Sequence, residues 1–200
     1  MSVQSAPSSR ELLRLQPGRP VELLGPPGMG ATRLGCRMLV EPSRSAPVAV
    51  VDVRGWFSPL AAWEVGIDPD RLVVVRCPEP RMWAQLVGLL LEGMGAVMAE
   101  VPMRFREREA IRLAALARSR RARVVFRSSG TPLPSGVPYL RLRVVGSGWE
   151  GVGRGRGLLA RRRLTVEISG RGVGGMSRTV EVEDVEANPV RLVSRLAVGR

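Results

Sequence analysis

Between Val21 and Leu39 the sequence reads VELLGPPGMGATRLGCRML, an apolar run entering a glycine-rich turn from which a helix-forming run leaves. Gly25, Gly30 and Thr32 keep the spacing of a phosphate-binding loop, G-x-x-x-x-G-K-[ST], and Gly28 adds another glycine to the turn. In such a loop backbone N–H groups cradle phosphate oxygens and the hydroxyl holds Mg²⁺. The chemistry also needs a lysine after the second glycine, as a point charge on the transferring phosphate, and Ala31 stands there. Gly25, Gly28, Gly30 and Thr32 therefore read as a degenerate, vestigial nucleotide site that retains no cofactor. An open alternative is an atypical ATPase in which Arg33, directly after Thr32, folds back in the lysine's place.

Composition narrows the chemistry further. All 31 basic residues are arginine, because the 200-residue chain contains neither lysine nor histidine. That excludes a Ser-His-Asp triad, a histidine metal ligand and a Schiff-base lysine. A GC-rich genome also yields arginine throughout, so composition alone does not argue for bidentate contacts. The net charge is +13, and its whole excess lies in residues 101–163, where 16 arginines face only Glu107, Glu109 and Glu150. Such an excess favours a polyanion or an acidic protein as partner. Cys36 and Cys77 stand far apart without a metal-ligand pattern and read as packing residues in a reducing cytoplasm. The stretch MSVQSAPSSRE lacks the charged-then-apolar order of a signal peptide, and the longest apolar tract, Trp83 to Ala99, is interrupted by Gln85 and Glu92, so neither a leader nor a membrane span is expected.

The elements that would position the loop follow from the periodicity. Strands are expected at Val21–Leu24, Val48–Val53, Leu72–Val75, Ala96–Val101 and Ala122–Phe126, the second and third as buried runs of a parallel sheet. Helices are expected from Gly30 to about Val40, stopped by Pro42, and at Leu60–Val65, Glu79–Met94 and Arg104–Arg120. This alternation is the signature of an α/β fold with a doubly wound, mostly parallel sheet, whose ligands sit at the carboxyl ends of the strands. After Thr131, Tyr139–Val145, Arg163–Ser169 and Thr179–Val182 alternate apolar and polar residues and read as antiparallel strands added at the C-terminal edge. The glycine-rich GSGWEGVGRGRGLLARRR between the first two reads as a mobile loop. Residues 1–15 read as a disordered or short helical segment, 16–185 as the core domain, and 186–200 as a tail or helix.

The order of elements, together with three motif positions, resembles the RecA-type recombinase core across about residues 15–185. The matching segments are GRPVELLGPPGMGAT, AVVDVRGWFSPLAAWEVGIDPDRLVVV, GAVMAEV and REAIRLAALARSRRARVVFRSSG. In that family a catalytic glutamate positions the attacking water two residues after the position of Asp52, and here Arg54 occupies that place. The family's magnesium-organising aspartate falls near Glu100. With lysine and glutamate both gone, hydrolysis is expected to be absent and no residue is assigned as catalytic or metal-binding. Arg54 filling the site with its own cation is a further expectation. A RecA-like chain of this length with both positions degenerate most resembles the actinobacterial ImuA-type proteins. The resemblance implies a cytoplasmic accessory role in SOS-induced translesion synthesis, with an ImuB-type Y-family polymerase homologue as partner, an error-prone DnaE-type polymerase as indirect partner, and DNA. Related SulA-like division inhibitors share part of the pattern and are the second alternative.

Candidate nucleic-acid contacts are Arg154, Arg156, Arg161, Arg162 and Arg163 in the glycine-arginine stretch, and Arg106 and Arg108 at the start of the last helix. Trp83 and Trp63 read as packing residues, which leaves Trp56 and Trp149 as surface anchors. The apolar positions Val190, Leu192, Val193 and Leu196 of the tail are the candidate partner-binding segment.

Overall fold

The computed structural model describes residues 13–150, 161–185 and 191–195. Its chain order begins with strand β1 (Val21–Leu24), helix α1 (Ala31–Ser43), β2 (Val48–Asp52), the short helix α2 (Pro59–Glu64), β3 (Leu72–Arg76) and α3 (Pro80–Gly93). It continues through β4 (Ala96–Glu100), α4 (Glu107–Ser119), β5 (Val124–Ser128), β6 (Leu140–Glu150), β7 (Arg161–Ser169), β8 (Arg178–Val185) and β9 (Arg191–Arg195). These strands form one open sheet in the order β3-β2-β4-β5-β1-β6-β7-β8-β9. Every pair from β3 to β6 is parallel, and β6 through β9 pair antiparallel.

Alternation along the central strands assigns each residue to one of two cores. Val21, Leu23, Val50, Met98 and Val125 face α1 and α2. Ala49, Val51, Val97, Val124 and Phe126 face α3 and α4. Helices thus cover both faces, which is why β2 and β4 are apolar at nearly every position. Gly35 sets how closely α1 approaches the sheet, since a Cβ there would lie 2.5 Å from the sulfur of Met98. On the other side Trp83 of α3 is fully buried, with its ring centroid 6.4 Å from that of Phe126.

Four expectations are corrected. Pro42 does not stop α1, which runs on to Ser43; a proline in the last turn forfeits a single N–H, and its own carbonyl accepts from the N–H groups of Ser45 and Ala46. Strand β3 is an edge strand and only half-buried, because nothing among the described residues pairs with its outer side. The Tyr139–Val145 segment, read as antiparallel, pairs parallel with β1, and the antiparallel pattern starts only at β7. The glycine-rich stretch read as a loop is regular at both ends: Gly146–Glu150 belongs to β6 and Arg161–Arg163 to β7, while 151–160 lie outside the described residues. Cross-strand pairing here outweighs the low strand propensity of glycine.

Within the tail, 191–195 form β9 against β8 rather than a helix. No helix among the described residues is long and apolar enough to cross a membrane.

Candidate functional site at the carboxyl ends of the central strands

The carboxyl ends of β1, β2, β4 and β5 meet in a cleft of about 190 Å³ lined by Thr32, Asp52, Arg54, Trp56, Glu100 and Arg127, among others. Pockets for drug-sized ligands run from about 300 to 1,000 Å³, so this volume suits a phosphate-sized group better than a whole nucleotide. The sequence-predicted loop forms one wall. Gly28 and Gly30 both adopt positive φ, +81° and +84°, so a left-handed backbone is needed at each, and α1 begins directly after Gly30. Ala31 is buried in the core, with its methyl packed beneath Gly25. Gly25, Gly28, Gly30 and Thr32 are therefore brought together as expected, and the lysine's charge is missing from α1.

Arg33 does not supply that charge. It donates from Nη1 to Glu64 of α2 at 3.0 Å, away from the loop. Two other arginines enter the cleft. Arg54 donates through Nε to Oε1 of Glu100, and the backbone N–H groups of Val53 and Arg54 donate to Oε2 at 2.9 and 3.1 Å. Both oxygens of the Glu100 carboxylate are thereby engaged. The guanidinium of Arg54 also lies 4.6 Å from the ring centroid of Trp56. Asp52 is committed too: it accepts from the N–H groups of Gly55, Trp56 and Phe57 at 2.9 to 3.2 Å, and Arg76 reaches it at 3.3 Å. Its role is to fold the turn that carries Arg54 and Trp56.

Arg127, the second cation, is nearly fully buried at the end of β5. Nη2 donates to the carbonyl of Gly25 at 2.7 Å and Nη1 to that of Ser128, whereas Nε has no partner among the described residues. Burial, followed by repulsion from Arg54, pushes its pKa down to about 10, with Glu100 acting in the opposite direction. Sequence reading missed Arg127, and one signal was present: a charged residue closes an otherwise apolar strand, VVFRS. Glu22 was missed for the same reason. It is wholly buried in β1 and accepts from Arg141 Nε at 2.5 Å, the N–H of Leu133 at 2.7 Å and Ser128 Oγ at 3.1 Å. This ties the segment after β5 to the strand that leads into the loop.

The predicted nucleic-acid arginines divide. Arg162 is not a free surface cation. It reaches the outer wall of the loop, donating from Nη2 to the carbonyl of Gly28 and from Nε to Ser147 Oγ at 3.0 Å, and lies 5.1 Å from the Trp149 ring centroid. A Cβ on Gly30 would meet its guanidinium carbon at 2.9 Å, so the glycine admits this brace. Arg163 pairs with Glu150 at 2.6 Å and Arg161 with Glu183 at 3.7 Å. Arg106 and Arg108 are exposed at the start of α4, beside Arg104, and no ion pair to any of the three is found among the described residues. Arg154 and Arg156 lie outside the described residues.

Of the tryptophans, Trp83 is core and Trp56 is 70% exposed. Trp149 is also exposed, as is Trp63, which sequence reading had assigned to packing. Leu192 and Val193 fall in β9, whereas Val190 and Leu196 lie outside the described residues. Among the described residues no cluster of acidic or thiol side chains has metal-binding geometry.

Both thiols are buried structural groups. Burial pushes the Cys36 thiol up to about 12, with Arg33 opposing, and burial together with Glu79 raises that of Cys77. Because the thiolate is the nucleophile, neither cysteine should react appreciably with a disulfide reagent at pH 8 until the chain unfolds. Because the folded pKa of Cys36 lies above its unfolded value, its contribution to stability is lost as pH rises from about 9 towards 12. Thiol titration with and without urea checks the first point, and rapid labelling of folded protein would contradict it.

A family model described as MT3502 N-terminal domain matches residues 14–133, from just before β1 into the segment after β5. The curated proteins give no match to the chain.

Proposed function

The chain belongs to the MT3502 N-terminal domain family, and on the separate ground of its sequence resemblance to RecA-type cores and ImuA-type proteins we propose that it is a non-catalytic RecA-like accessory protein of SOS-induced translesion synthesis. In this reading it acts as an adaptor between DNA and an ImuB-type polymerase homologue, and through that partner serves an error-prone DnaE-type polymerase. The strand order β3-β2-β4-β5-β1, with a phosphate-type loop between β1 and α1, supports the RecA-like assignment beside the sequence motifs.

The observation that carries the non-catalytic part is the engagement of Glu100 by Arg54 and two backbone N–H groups. A magnesium ion at Glu100 would have to compete with the Arg54 guanidinium at Oε1 or with the two backbone N–H groups at Oε2. A water-activating carboxylate is also replaced by a cation, so charge stabilisation and water positioning fail together. Arg33, occupied by Glu64, gives no support to an arginine-substituted ATPase.

DNA contact fits the start of α4 better than the β7 arginines. Arg104, Arg106 and Arg108 are exposed at the start of α4, where Glu107 and Glu109 of the first turn already complement the macrodipole, so a polyanion there would be held by the three guanidinium groups. The test combines phosphate release with titration of single-stranded and forked DNA at several salt concentrations. We expect no phosphate release, and DNA affinity that falls steeply with salt. An R104A/R106A/R108A variant should bind at least tenfold more weakly with a shallower salt slope. DNA-stimulated phosphate release would overturn the reading, as would DNA binding that ignores both salt and the triple substitution.

A further inference from the structure

Helix α1 starts without the groups that usually satisfy a helix N-terminus. Its first internal hydrogen bond runs from the N–H of Leu34 to the carbonyl of Gly30, which leaves the N–H groups of Ala31 and Thr32 without an intrahelical acceptor. Gly30 at the N-cap carries no side chain to accept from them, and the first turn holds no acidic residue. The hydroxyl of Thr32, a residue lining the cleft, likewise makes no hydrogen bond among the described residues. Three donors on two adjacent residues thus lack an acceptor.

Arg127, on a different element, lacks a partner of another kind. It is only 4% exposed and lines the same cleft, yet its hydrogen bonds go to uncharged carbonyls, those of Gly25 and Ser128. Its Nε has no acceptor among the described residues. Asp52 is paired with Arg76 and Glu100 with Arg54, so both carboxylates lining the cleft already have a cation of their own. A water molecule would satisfy Nε and leave the charge uncompensated, whereas a buried cation is ordinarily paired with an anion. The lowered pKa of Arg127, about 10, still leaves the guanidinium charged at neutral pH.

We propose that the cleft binds one phosphate group without magnesium, with Arg127 as its cation and the Ala31 and Thr32 N–H groups and the Thr32 hydroxyl as its remaining donors. An ordinary phosphate loop takes its cation from the lysine at the start of the helix and its metal from strand carboxylates. Here the cation comes from the end of β5, and the carboxylates of Asp52 and Glu100 are held by Arg76, Arg54 and backbone N–H groups. The volume of about 190 Å³ admits inorganic phosphate, or the end of a larger phosphate monoester whose remainder stays outside. Phosphate binding of this kind needs neither DNA nor a polymerase homologue, so its failure would leave the adaptor reading untouched.

Isothermal titration of the full chain with inorganic phosphate, in EDTA and at constant ionic strength, tests it. We expect a single site with a Kd of about 1 mM or tighter, inside the ceiling for so small a ligand. The melting temperature should rise with phosphate concentration. R127M keeps the length of the side chain and removes its charge and donors, and should bind roughly tenfold more weakly or worse. T32V, at a partly exposed position, removes only the hydroxyl. It should melt like the wild type without phosphate and lose affinity several-fold, which keeps the test decisive where R127M folds poorly. R120A removes the same charge from the surface at the far end of α4 and should bind phosphate like the wild type. Competition by phenyl phosphate would identify the ligand as a monoester, and its absence as the free ion. No phosphate binding in EDTA, ATP binding that requires magnesium, affinity unchanged in R127M and T32V, or an equal loss in R120A would each overturn the proposal.

Discussion

Glu22→Ala is expected to lower unfolding free energy by about 3–5 kcal/mol, the usual cost of leaving a buried charge partner alone. The glutamate is wholly buried and satisfies Arg141, the N–H of Leu133 and the hydroxyl of Ser128, so its loss strands a cation and an amide donor together. For a chain of this size the melting temperature should fall by roughly 10 °C. Glu22→Gln keeps an acceptor for Leu133 and should fall between the two. The informative variant is Glu22→Leu combined with Arg141→Leu, since replacing both members of a buried pair by apolar groups is often nearly neutral. Urea unfolding of the single and double variants would separate the causes: a double variant as unstable as the single one would show that the backbone contacts, not the ion pair, carry the stability.

The second large effect is expected at Trp83, where truncation to alanine should cost about 3–5 kcal/mol through the cavity left between α3 and the sheet. Trp83→Phe should cost about 1 kcal/mol despite the lost volume. The indole N–H is buried without a partner among the described residues, and removing it relieves an unmet hydrogen bond that opposes the packing loss. Denaturant midpoints for the two variants check this pairing, and equal losses would mean that the indole nitrogen is satisfied in solution.

Much of the fold was legible because its signals are local. The apolar run VAVVD, the three- and four-residue spacing of α3 and the glycines before α1 each state their conformation within a few residues. What escaped depends on pairing between distant segments. Whether Leu72–Arg76 is central or outermost is set by the absence of a further neighbour, and whether β6 runs parallel to β1 is set by a connection across more than a hundred residues.

The same distinction divides the site. The loop glycines were readable from spacing, and Arg54 from its departure at a motif position. By contrast, the roles of Glu22, Arg127 and Arg162 arise only when β1, β5, β6 and β7 lie side by side. Arg162 sits within an arginine run whose obvious reading was solvent or phosphate. Its glycine carbonyl partner carries no charge that a sequence pattern could register.

The irregularity in β6 between Val144 and Gly146 has a consequence for the family's tolerance of length change. Up to Val144 the even-numbered residues face α1, whereas beyond the bulge Ser147 pairs with Leu164 and Trp149 with Arg162, so the odd-numbered residues now take that side. Deleting Val145 would remove the extra residue and restore simple alternation with Trp149 still opposite Arg162, whereas deleting one residue elsewhere in the strand with the bulge kept would turn Trp149 to the opposite face and part it from Arg162. A deletion or insertion beyond Glu150 would leave that parity untouched. The length joining β6 to β7 is therefore free of this constraint, while between Leu140 and Trp149 a one-residue loss keeps the Trp149–Arg162 pair only where it removes the bulge itself.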